Sequence, residues 1–131
     1  MRALALPEIQ ARWAGEIRAR IDRALPKGPE SMDVGLVLES AKNGQVLILE
    51  HEATIMAVEV LDGDEGKCCH IIAYEGDGGL QLLGAYTAVT DRLASELGCR
   101  WVTLTGRHGW LRTLRKLGWR ESSTTMLKEV N

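Results

Sequence analysis

The sequence predicts a single α/β domain, a mixed and mostly antiparallel sheet flanked by helices. Three observations lead there. Short strand-type runs separated by polar turns fill the middle of the chain, from Gln45 to Tyr74. A strand–glycine loop–helix–strand unit follows over Cys68–Thr105, and a helical crossover of that kind joins parallel strands. Helical spacing of apolar residues marks the N-terminal region, the crossover and a short basic segment near the C-terminus. The order is α-α-β-β-β-α-β-α-β over residues 1–131, with no repeat, low-complexity tract or linker.

Leu6, Ile9, Trp13, Ile17, Ile21 and Leu25 form one helical stripe, with Arg12, Glu16, Arg18, Arg20 and Arg23 on the other faces. Pro7 suits a first helical turn, and Pro26-Lys27-Gly28-Pro29 stops the helix. Ser31 is the expected N-cap of a second helix through Lys42, closed by Asn43-Gly44. Gln45–Glu50 and Thr54–Leu61 read as strands joined by His51-Glu52-Ala53. The polar turn Asp62–Gly66 then leads to a third strand, Lys67–Tyr74. Glu75-Gly76-Asp77-Gly78-Gly79 is too glycine-rich for a regular element. From Leu80 the residues Leu83, Tyr86, Thr90, Leu93, Ala94 and Leu97 fall at helical spacing, and Gly98 stops that helix. Arg100–Thr105 is the parallel strand, Arg107–Leu117 a basic helix ended by Gly118, and Trp119–Val130 a last strand.

With 131 residues, 45% hydrophobic and 26% charged, the chain can bury a core without staples. A formal charge of −2 gives no global attraction to nucleic acid or membranes. No apolar run approaches a membrane span, and the N-terminus has no signal-peptide core. Cys68 and Cys69 point to opposite faces of a strand and Cys99 makes an odd third, so a reducing cytoplasm is the expected compartment. Cys68, Cys69 and His70 are contiguous, which is poor geometry for a tetrahedral metal, so no metal site is expected. The glycine loop opens a helix and so offers free N–H groups to an anion, making it the expected seat of a phosphate-bearing cofactor.

This order of elements resembles the GCN5-related N-acetyltransferase (GNAT) fold, and Thr113-Leu114-Arg115-Lys116-Leu117-Gly118-Trp119 keeps the Lys-x-Gly-aromatic finish of that family's last helix. The Thr105–Trp110 turn is similar to one in small GNAT-like proteins of phages and prophages. The family's first strand is reduced here to Met1–Ala5 at most. The resemblance implies binding of acetyl-CoA or coenzyme A and acetyl transfer to a small-molecule or protein amine. It places the diphosphate at Gly76, Gly78, Gly79, Leu80 and Gln81, and the acyl carbonyl near the backbone of Ile72 and Ala73. Arg107 and Arg112 are the candidate partners for the cofactor phosphates. Glu75 stands where the family has a cationic or amide residue, Leu80 where it has a small one, and Leu114 where many members carry an acidic tyrosine.

Three residues compete as general base. Glu59 interrupts an apolar strand, where an inward carboxylate would have a raised pKa. His70 alternates with Cys68, Ile72 and Tyr74, so the four are expected on one face, and a histidine works near neutral pH. His108 opens the last helix. Tyr74 ends the strand that lines the cleft and is the candidate acid. Arg107, His108, Arg112, Arg115, Lys116 and Arg120 form a basic cluster for cofactor phosphates, for nucleic acid or for an acidic protein, or simply a solvated helix face. The alternative to an enzyme is a GNAT-fold binding or assembly protein of phage origin, a homodimer or a partner of another protein in the host cytoplasm.

Overall fold

The computed structural model describes residues 2–25, 32–76, 90–104, 111–120 and 128. The chain opens on a strand rather than a helix: β1 (Arg2–Ala3) pairs antiparallel with β2 (Val46–His51), Arg2 opposite Glu50 and Ala3 opposite Leu49. The predicted first helix is present in three pieces, α1 (Leu6–Arg12), a π-helical turn (Trp13–Ile17) and α2 (Arg18–Ala24). Its stripe explains the break. Ile9, Trp13, Ile17 and Ile21 recur every four residues, and each such step overruns a turn of 3.6. One wide turn returns Ile17 and Ile21 to the same buried line as Ile9. Leu25 is already extended (ψ 138°), as a residue before proline must be.

α3 (Val34–Lys42) is capped by Asp33, whose Oδ1 accepts the Gly35 N–H at 2.6 Å, and not by Ser31 as expected. A carboxylate one residue from the first turn reaches that amide; Ser31 lies outside the described residues. Gly44 takes φ 77° and turns the chain into the sheet. β2, β3 (Thr54–Gly63) and β4 (Gly66–Glu75) form the expected meander. The first hairpin link is only Glu52-Ala53, with Glu52 at φ 51°. The crossover is helical over residues 90–96, here α4, and β5 (Cys99–Leu104) returns parallel to β4. The sheet runs β1-β2-β3-β4-β5. α5 (Leu111–Lys116) ends at Gly118, φ 94°. Of the expected last strand, Trp119 and Arg120 are in neither helix nor strand; residues 121–127 and 129–131 lie outside the described residues.

The sheet buries both faces. Against the first lie Ile9, Ile17, Ile21, Leu25 and Val37 of the helices, packed on Val46, Ile48, Ile55, Ala57, Ile72 and Ala73. Against the second, Ala94, Leu93 and Leu97 meet Leu49, Met56, Val58, Cys69 and Ile71. Strand alternation assigns the residues of β2, β3 and β4 to a face until β4 reaches a bulge. Val58 pairs with Ile71 but Ala57 with Ala73, so Ile72 is an extra residue. One inserted residue exchanges the faces of all that follow it. Tyr74 therefore packs with the second cluster and Glu75 turns to the first. The expectation that Cys68, His70, Ile72 and Tyr74 share one face is corrected at Tyr74, for this reason.

Candidate active site

The bulge lies beside the last described pair of β4 and β5. β4 stays paired with β3 through Glu75 opposite Ile55, while its described pairing with β5 ends at Ile71 opposite Leu104.

Just below the bulge, on the face that carries α1, α2 and α3, the register assembles a polar cluster. His70 stands directly opposite Glu59 on β3 and opposite Thr103 on β5. Its Nδ1 lies 2.7 Å from Thr103 Oγ1, and Cys68 Sγ lies 3.3 Å from the same hydroxyl. Burial pushes the His70 imidazole below its ordinary 6.5, and the Glu59 carboxylate partly offsets this. The group is therefore neutral at pH 7, with one ring nitrogen engaged by Thr103 and the other carrying either the lone pair or the proton.

At the upper end of β4 the carboxylate of Glu75 meets two cations. Its Oε1 is 3.3 Å from Arg20 Nε and 3.3 Å from an Arg23 terminal nitrogen, both on α2. Arg20 also donates to the Ala53 carbonyl and lies 3.6 Å from Glu16. These residues, with Glu52 and Gly76, line an open groove. Glu75 stands where the resemblance called for a cation or amide. Here α2 brings two positive charges to the same place. Gly76 packs flush on Thr54: a Cβ there would come within 2.8 Å of the Thr54 Cα and 2.5 Å of its hydroxyl.

Of the residues singled out in the sequence, the fold unites Glu59 and His70 and puts Ile72 and Ala73 at the bulge. It leads Tyr74 to the opposite face. Arg112 is exposed on α5. Gly78, Gly79, Leu80, Gln81, Arg107 and His108 lie outside the described residues. Leu114 is buried, 7% exposed. Among the described residues no three His, Cys, Asp or Glu side chains gather around a point that could hold a metal. Sequence reading missed Thr103, which looked like any strand threonine, and Arg20 and Arg23. Their three-residue spacing put them on one helix face, but nothing in the sequence showed that Glu75 would face them.

No protein family and no curated protein matches the sequence. Solved structures do match over nearly the whole chain. Glucosamine-6-phosphate N-acetyltransferase from Arabidopsis thaliana superposes with a TM-score of 0.65 at 16% identity, covering 99% of this chain and 97% of its own. A protein from Clostridium acetobutylicum, described as a predicted acetyltransferase and bound to acetyl-CoA, gives 0.61 at 18% identity, covering 99% and 94%. An aminoglycoside acetyltransferase from an uncultured soil metagenomic sample, in complex with sisomicin, gives 0.63 at 12%, covering 99% and 95%. At these identities the likeness is one of fold: this chain has the fold of the acetyltransferases.

Proposed function

We propose that the chain is an acyl-CoA-dependent N-acetyltransferase acting on an amine in the cytoplasm. The observation that carries this reading is the His70–Glu59–Thr103 cluster beside the β4 bulge, in a chain with the fold of the acetyltransferases. The residues present fit the cofactor. The backbone at the bulge would hold the cofactor, with the Ile72 or Ala73 N–H toward the acyl carbonyl. Arg20 and Arg23 offset the charge of Glu75 next to the diphosphate loop, and Arg112 adds an exposed cation. When bound, acetyl-CoA supplies an acetyl group activated as a thioester.

His70 then serves as the general base. With its Nδ1–H donated to Thr103, the Nε2 lone pair is left to take the proton of the incoming amine, and Glu59 stabilises the imidazolium that forms. Leu114 offers no acid from α5, so positioning of the amine has to carry more of the rate. Titration calorimetry tests binding: acetyl-CoA and coenzyme A are expected to give saturable heat, and none at millimolar ligand would remove the reading. In a thiol-release assay over a panel of amines, His70→Ala is expected to lower kcat by roughly 10²–10⁴ while leaving the affinity for acetyl-CoA unchanged.

Burial of Leu114 where family enzymes carry an acid favours a second reading, a non-catalytic binding or assembly protein, of phage origin as the Thr105–Trp110 turn suggests. It requires a stable complex with a partner protein or a second copy. A monomer that turns over acetyl-CoA with a defined amine rules it out.

A further inference from the structure

The seam between β4 and β5 holds a feature on the opposite face from His70. Cys69 and Cys99 approach with their sulfurs 3.2 Å apart, thirty residues distant in sequence, Cys69 donating its S–H. Cys69 is sealed in the second core cluster at 2% exposure, whereas Cys99 lies at its margin and is partly open to solvent. The third thiol, Cys68, points to the other face and engages Thr103. The register irregularity in β5 between Cys99 and Trp101 is what swings Cys99 toward Cys69: Lys67 pairs with Cys99 but Cys68 with Trp101.

We infer that Cys69 and Cys99 are a redox modification site, a dithiol that small-molecule disulfides convert to an internal disulfide bridging the parallel strands. The accessible Cys99 thiolate attacks glutathione disulfide, forming a mixed disulfide and expelling one glutathione thiolate, which takes a proton. Cys69 gives its proton to solvent, attacks the Cys99 sulfur and expels the second glutathione. Two protein thiols and one glutathione disulfide thus become one protein disulfide and two glutathione thiols. Burial and the Cys99 sulfur push the Cys69 thiol up to about 12, which keeps it from being the first attacker and makes Cys99 the point of entry. Closing the bond requires the sulfurs to move from 3.2 Å to about 2.05 Å. The site stands apart from the acyl-transfer reading and does not depend on it.

The test treats reduced, native protein with glutathione disulfide at neutral pH without denaturant, counts free thiols and maps peptides without reduction. Two of the three thiols are expected to disappear, leaving Cys68, with a Cys69–Cys99 peptide recovered and the change reversed by dithiothreitol. A loop of about 30 residues closed in this way raises Tm by roughly 5–10 °C. Cys68→Ser should give the same linked peptide and Cys99→Ser none. The inference fails if all three thiols survive excess oxidant, if glutathione stays on Cys99 with no internal bond, or if the linked peptide contains Cys68.

Discussion

His70 takes its properties from burial and from two neighbours, Glu59 on β3 and Thr103 on β5. Burial favours its neutral form, Glu59 favours the charged one, and Thr103 fixes one ring nitrogen. Replacing Glu59 by Gln removes the stabilising charge, so the His70 pKa is expected to fall further below 6.5 in an NMR titration of the imidazole; an unchanged or higher value contradicts the pairing. The depressed pKa also has a stability consequence. The unfolded chain protonates first, so whatever His70 contributes is present above 6.5 and lost as pH falls through its lower folded value. His70→Asn should flatten that part of the stability profile. Both candidates were legible in the sequence because a carboxylate and an imidazole interrupt apolar strands. Their juxtaposition was not, since it depends on a register fixed by the two-residue turn at Asp64-Glu65. Tyr74 was misplaced because Ile71-Ile72-Ala73 carries no mark of a bulge: three apolar residues alternate as well as they bulge.

Two glycines test how the elements around the groove are built. Gly15 sits in the π-helical turn, where a Cβ would meet nothing within 4 Å. Gly15→Ala should therefore stabilise the helix by about 0.5–1 kcal/mol, from lost unfolded-state entropy alone. A destabilised variant would show that the wide turn needs the glycine backbone. Gly76 is the opposite case, because its Cβ would strike the backbone of buried Thr54, and backbone cannot rotate away. Gly76→Ala is expected to cost about 1–3 kcal/mol in denaturant unfolding. The glycine read from sequence as a cofactor contact thus has a packing role of its own, closing the end of β4 onto the start of β3. The broken first helix could not be foreseen in detail. A stripe stepping by four residues announces a helix, but a straight helix with a drifting stripe and a bulged one with a straight stripe share that pattern.

At the scale of the whole molecule, the layers were readable because their periodicities are long and consistent: four-residue steps in the helical layer, alternation in the meander, and a helical crossover to a parallel strand. The two-residue β1 is too short to carry a pattern, and only the resemblance placed a reduced first strand within Met1–Ala5; it brings Arg2 to an ion network joining the helical layer to the sheet. Arg12, 26% exposed at the end of α1, bonds Glu50 of β2 together with Glu8 and Glu16 of its own helix, while Arg2 bonds Glu8 at 2.8 Å. The Arg2 guanidinium holds the Glu8 carboxyl down at about 2, and Arg12 holds Glu50 below its ordinary 4.5. Folded pKa values below the unfolded ones mean that the stability these carboxylates lend is full above about 4.5 and drains as pH falls toward about 2. Arg12→Met keeps the apolar stem but leaves Glu50, only 15% exposed, with Arg2 at 3.7 Å as its remaining ion pair among the described residues and a longer-range pull from Arg20. The expected cost at pH 7 is about 1–3 kcal/mol, most of it the penalty of a half-buried carboxylate with weakened pairing. On acidification Glu50 takes up a proton and that penalty disappears, so the deficit should shrink steadily below pH 4.5 in urea unfolding. A deficit independent of pH would mean that Arg12 acts through packing alone, and that the helical layer is held to the sheet by its apolar stripe without help from charge.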